Sequence, residues 1–183
     1  MWIRLSSWLY KVSTRRVALL ALIIFVVFSA LVLPGQSAAA RDNSHGAASP
    51  DTSLFYTPDD LYRMAEAHGP EGRAAYVRAR WSFDVAFPLV YGAFLATAIS
   101  WLFAQVIPAQ GVGRLANLVP VLAVIFDFCE NTCTSLVMLA YPERIVLTAL
   151  LAAVFTPVKW LLVIGSMALL LAGLWMWLRR RSA

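Results

Sequence analysis

Residues 117–140 read NLVPVLAVIFDFCENTCTSLVMLA, and the conflict inside that stretch decides the fold. As a helix it is long enough to cross a hydrocarbon core of about 30 Å. Yet Asp127 and Glu130 stand in its middle. An ionised carboxylate in hydrocarbon costs several kcal/mol, so such groups turn to a protein interior and find partners there. Asp127, Glu130, Asn131 and Thr134 fall at i, i+3, i+4 and i+7, which puts all four on one helix face. The stretch therefore predicts a spanning helix with a polar stripe turned inward.

Three more apolar runs accompany it: Val17–Leu33, Ser82–Ile107 and Val146–Leu178. The chain of 183 residues is 61% apolar and 14% charged, against about 25% charged residues in soluble domains. The expected class is all-α: a polytopic membrane protein, a four-transmembrane-helix bundle with short outer-face helices. The spans are 17–33, 82–107, 117–140 and 146–178. Between them lie an outer segment 34–81, an inner loop 108–116 and an outer turn 141–145, with a short tail 179–183.

Charge orients these spans. Arg4, Lys11, Arg15, Arg16, Arg114, Arg179, Arg180 and Arg181 share one side with no acid among them. The other side carries six cations against seven acids. This positive-inside asymmetry places the N- and C-termini in the cytoplasm. It also accounts for the basic pI of about 9.6, so no nucleic-acid partner is expected; the partner implied is the lipid bilayer, with a membrane protein or bound lipid beside it.

Residues 1–16 read as an interfacial helix with Trp2, Leu5, Leu9 and Val12 on one stripe and Arg4, Lys11 and Arg15 reaching toward anionic headgroups. Residues 1–40 also fit a secretory signal peptide, with a basic start, an apolar run, Pro34-Gly35 and an A-x-A ending. Cleavage after Ala40 would leave three spans. The 17-residue apolar run and the Trp-bearing stretch before it favour a retained anchor. Residues 34–57 read as an exposed loop, followed by a helix capped at Thr57-Pro58. That helix stops at Gly69-Pro70; the next runs past Trp81 into the membrane. The last run is too long for one simple crossing, and Pro157 predicts a bend or break.

Candidate site residues are Asp84, Tyr91, Asp127, Glu130, Asn131, Thr134 and Lys159. Residues equidistant from the turn at Tyr141-Pro142-Glu143-Arg144 lie at one depth. That places Asp127 and Lys159 within about 2 Å of the same level if both helices are regular, as an ion pair requires. Asp84, near the outer boundary, has a hydrated position open to it; with Pro88 and Tyr91 it could instead line the wall of a cavity. Gly92, Ala96 and Ser100 at four-residue spacing form a close-packing seam. Cys129 and Cys133 read as small packing residues. His45 and His68 read as surface side chains rather than metal ligands. No metal is expected, and cofactors and catalytic residues stay unassigned.

Gly69-x-x-Gly72-Arg73-x-x-Tyr76, Asp84-x-x-x-Pro88-x-x-Tyr91-Gly92 and Asp127-x-x-Glu130-Asn131 resemble a recurring pattern in small bacterial inner-membrane proteins of four spans. The resemblance implies the cytoplasmic membrane of a bacterium and carries no activity. A looser likeness to four-helix membrane folds that bind sterols or quinones is architectural, and the paired cysteines of the thiol-oxidising members are missing. Three roles fit the polar centre: a non-catalytic assembly component or lipid binder, an enzyme acting on a lipid or isoprenoid, and a small proton-coupled carrier. Reporter fusions at residue 144 and after residue 181 should report opposite sides of the membrane. The same side for both would overturn the orientation.

Overall fold

The computed structural model describes every residue except His45, Ala47, Gln110 and Ala183, and gives Asp51 and Val112 by backbone alone. Regular structure among the described residues is wholly helical: α1 Trp2–Val12, α2 Arg15–Asn43, α3 Pro58–Arg80, α4 Phe83–Val106, α5 Val119–Ala140 and α6 Val146–Ser182, with short 3₁₀ turns at Pro50–Thr52 and Val112–Leu118. Four helical stretches are long and apolar enough to cross a membrane: Arg15–Asn43, Pro58–Val106, Gly113–Ala140 and Val146–Ser182. The chain is a polytopic membrane protein.

Helical structure continues through both Pro34 and Pro157. α2 continues through Pro34-Gly35 to Asn43, so residues 34–43 are helix, not exposed loop. α6 is one helix of 37 residues that passes Pro157 without a break. In a segment deprived of water, leaving the helix exposes several backbone groups, whereas a proline frees only one carbonyl. Continuity is therefore the cheaper solution.

α3 begins as its sequence demands. The Thr57 hydroxyl accepts from the Asp60 amide, and the Asp60 carboxylate accepts in return from the Thr57 amide at 2.9 Å. Gly69 takes φ 63 and ψ 175, which kinks the helix ahead of Pro70. A turn at Trp81-Ser82 separates α3 from α4, so the two do not form one straight rod.

The chain divides into two compact units. One comprises Met1–Phe28, Leu89–Val124 and Leu161–Ala183. Here Leu9 of α1 packs with Ala96 of α4 and Leu118. The buried face of α1 runs through Ser6 and Leu9, and Trp2 is exposed. A polar clasp holds that face: the Ser6 hydroxyl donates to Asn117 Oδ1 at 2.8 Å, and Asn117 Nδ2 donates to the Ser6 carbonyl and to Ser100 Oγ at 3.2 and 3.0 Å. The Gly92–Ala96–Ser100 seam is the α4 side of this packing, and a Cβ on Gly92 would collide with Val124.

The other unit comprises Ser29–Pro88 and Ile125–Trp160. Its core joins Tyr56, Leu61, Tyr62, Ala65 and Tyr76 to Cys133, Val137 and Met138 of α5 and Ala149 and Ala152 of α6. α3 is thus part of the packed core and not a surface layer. α2 also closes on α3, since a Cβ on Gly72 would overlap the Asn43 carbonyl. Gly72→Ala should destabilise the protein by about 1–3 kcal/mol, because backbone must move to admit the methyl. Gly35→Ala, with open space around it, should be neutral or stabilising by up to about 1 kcal/mol. Unfolding of both variants in mixed micelles checks the contrast; equal effects would refute the close approach.

Candidate functional site

The polar centre lies within the second unit, between the middle of α5 and the middle of α6. Glu130 is 1% exposed and Lys159 is buried. Lys159 forms a close ion pair with Glu130 Oε2, and its Nζ stands 3.9 Å from Asp127 Oδ1. The sequence reading favoured Asp127 as the partner at equal depth. The structure assigns the tighter pair to Glu130, one turn away on the same face of α5. A lysine's four-carbon stem easily spans that difference in depth.

The other oxygen of Glu130 meets the Thr156 hydroxyl at 2.6 Å. Tyr56 places its hydroxyl 2.9 Å from the same Thr156 oxygen. Threonine has one proton to give, and the nearest acceptor is the carboxylate. The phenol therefore donates to Thr156, and Thr156 donates to Glu130. Each Glu130 oxygen is engaged, one by an ammonium and one by a hydroxyl, which is the condition for burying a carboxylate. Lys159 also sits 5.3 Å from the centroid of the Trp160 ring. Trp160 Nε1 donates to the Ser53 carbonyl at 3.1 Å, so the chain ahead of α3 is tied to α6 at both Ser53 and Tyr56.

Tyr56, Thr156 and Trp160 escaped sequence reasoning. Thr156 left a signal, since it stands three residues before Lys159 on the same face of α6. Tyr56 left none. It reaches the centre from an irregular segment whose path only the tertiary fold defines.

The remaining candidates divide. Thr134 is buried, but its hydroxyl turns back to the Glu130 carbonyl at 3.0 Å and serves the helix. Asn131 is buried, with its amide nitrogen unpartnered among the described residues, as is the hydroxyl of Ser135 one turn on. Asp84 is buried, not hydrated. It pairs with Arg80 across the α3–α4 turn, and the Arg80 guanidinium covers the Tyr76 ring at 4.8 Å. Tyr91 is also buried, on the part of α4 that belongs to the other unit.

His68 corrects another expectation. It is buried beside Tyr76, with ring centroids 5.9 Å apart, and its Nδ1 lies 2.7 Å from the Met64 carbonyl. That contact requires the Nδ1–H tautomer. His45 lies outside the described residues. Among the described residues no three His, Cys, Asp or Glu side chains gather as a metal site would need. Cys129 and Cys133 are free thiols, and Cys133 belongs to the apolar core.

Comparisons with protein-family models, curated proteins and solved structures find no match. The centre must be judged on its own chemistry: two carboxylates, one ammonium and a chain of two hydroxyls. Lys159→Met should cost about 3–5 kcal/mol, because it leaves Glu130 buried without its counter-charge. Adding Glu130→Gln should recover more than half of that loss. Unfolding in mixed micelles measures both, and a mild single variant would refute the ion pair as a structural element.

Proposed function

We propose that this chain is a non-catalytic component of a bacterial cytoplasmic membrane, acting through assembly with another membrane protein or a bound lipid, with its polar centre serving as a structural lock. The observation that carries this reading is the saturation of Glu130. A catalytic or transporting carboxylate needs a free oxygen and an approach to it. Here Lys159 and Thr156 occupy both oxygens at nearly complete burial.

The surfaces left outside the core suit such a role. In the apolar windows of α2 and α6 only 6% and 11% of residues are buried within the chain. These flanks face lipid or the helices of a partner.

The reading keeps the first span in the mature protein, with both termini cytoplasmic. Removal of residues 1–40 would strip Asn117, a fully buried amide, of both its bonds to Ser6. The kinship with four-span bacterial proteins rests on the three motif spacings alone.

Purification of the full chain in mild detergent should recover a stoichiometric protein or lipid companion. The charge-free Glu130→Gln/Lys159→Met variant should retain it. Loss of the companion from a folded variant would move the centre from structure to binding, and a companion-free wild type would remove the reading altogether.

A further inference from the structure

Charge is divided unevenly between the two units. The unit formed by Met1–Phe28, Leu89–Val124 and Leu161–Ala183 holds eight of the 15 Lys and Arg residues and none of the ten Asp and Glu residues. Its cations have no carboxylate within the unit, and four of them, Arg114, Arg179, Arg180 and Arg181, turn to weaker partners. Arg180 donates to the carbonyls of Gln105 and Val106 at 2.8 and 3.1 Å. Arg179 and Arg181 lie over Trp175 and Trp177, 4.1 and 4.2 Å from the ring centroids. Carbonyls and ring faces orient a cation without cancelling its charge.

One place in this unit joins such cations to a cavity. Between α1 and the chain that follows Ile107 lies a cavity of about 490 Å³, with Ser7, Tyr10, Lys11 and Arg114 among its polar walls and Ile3 and Leu115 among its apolar ones. Arg114 is held in place: Nε and Nη2 donate to the Ile107 carbonyl, both at 3.3 Å, and the guanidinium lies 4.5 Å from the Tyr10 ring centroid. Tyr10 in turn donates to the Arg114 carbonyl at 2.9 Å. Burial pushes the Tyr10 phenol up to about 12, against the pull of Arg114, so it stays a neutral donor. Arg114 Nη1, the Lys11 ammonium and the Ser7 hydroxyl have no partner among the described residues.

We propose that this cavity binds the phosphate of an anionic phospholipid, with Arg114, Lys11 and Ser7 holding the phosphate oxygens and Ile3 and Leu115 packing against the glycerol and upper acyl chain. A preset guanidinium, a mobile ammonium and a hydroxyl match the acceptor oxygens of a phosphodiester. The apolar wall distinguishes a lipid from a free ion. Lys11 stands four residues before the first residue of α2, at the end of that helix's apolar run where headgroups lie if it crosses the membrane. The site shares no residue with the Lys159–Glu130 centre, so its failure would leave that reading intact.

The test uses the full chain in nanodiscs of phosphatidylcholine with increasing phosphatidylglycerol, followed by native mass spectrometry of retained lipid. Wild type should keep about one phosphatidylglycerol in preference to phosphatidylcholine. Lys11→Gln should weaken retention about fivefold, and Lys11→Gln/Arg114→Gln should abolish it. Arg114 also holds the Ile107 carbonyl, so Lys11→Gln/Ser7→Ala, confined to exposed side chains of α1, serves where the Arg114 variant does not fold and should lose retention too. Equal retention of the two lipids, or undiminished retention in Lys11→Gln/Ser7→Ala, would overturn the site. Displacement of phosphatidylglycerol by inorganic phosphate would overturn its assignment to a lipid.

Discussion

The low dielectric around the middle of α5 sets the terms for its unit. A carboxylate such as Glu130 can be buried there only with its charge and both oxygens compensated. Each compensating group arrives from elsewhere in the chain: Lys159 and Thr156 from α6, and Tyr56, through Thr156, from the segment before α3. Satisfying one side chain therefore aligns three separate pieces of sequence. Such polar links specify rotation and register, which the non-directional attraction of apolar surfaces does not. The aliphatic core of Leu61, Ala65, Val137, Ala149 and Ala152 then packs around a geometry already decided.

The unit of Met1–Phe28, Leu89–Val124 and Leu161–Ala183 solves a different problem with the same economy. It has no acid, so no ion pair within it can anchor α1. Ser6, Ser100 and Asn117 perform that task through neutral hydrogen bonds, and all three are buried. Arg114, Arg179, Arg180 and Arg181 rest on carbonyls and aromatic rings and keep their charge available to external anions. The positive-inside pattern, usually read as a topology signal, thus has a structural counterpart in the way those cations are held.

Prolines expose the difference between local and environmental control. Pro34-Gly35 and Pro157 carry strong breaking signals in water, yet α2 and α6 continue through them. Gly69-Pro70 carries a similar signal and does kink α3, in a stretch rich in charged residues where freed backbone groups can be solvated. Pro34 and Pro157 keep helical backbone on both sides, whereas the kink at Gly69-Pro70 is made by a glycine at positive φ.

From the sequence alone came the helical class, the four long apolar stretches, the inward polar face of α5, the α3 cap at Thr57 and the close packing at Gly92, Ala96 and Ser100. These follow from periodicity, length and local chemistry, all properties of neighbouring residues. Only the tertiary structure decided that Lys159 takes Glu130 rather than Asp127 as its close partner. It alone brought in Tyr56 and Thr156, buried His68 and Asp84, drew α3 into the core and docked α1 through Asn117. Those outcomes depend on helix rotation and on the path of irregular segments, which are selected by the joint satisfaction of distant groups and leave no periodic trace in the chain.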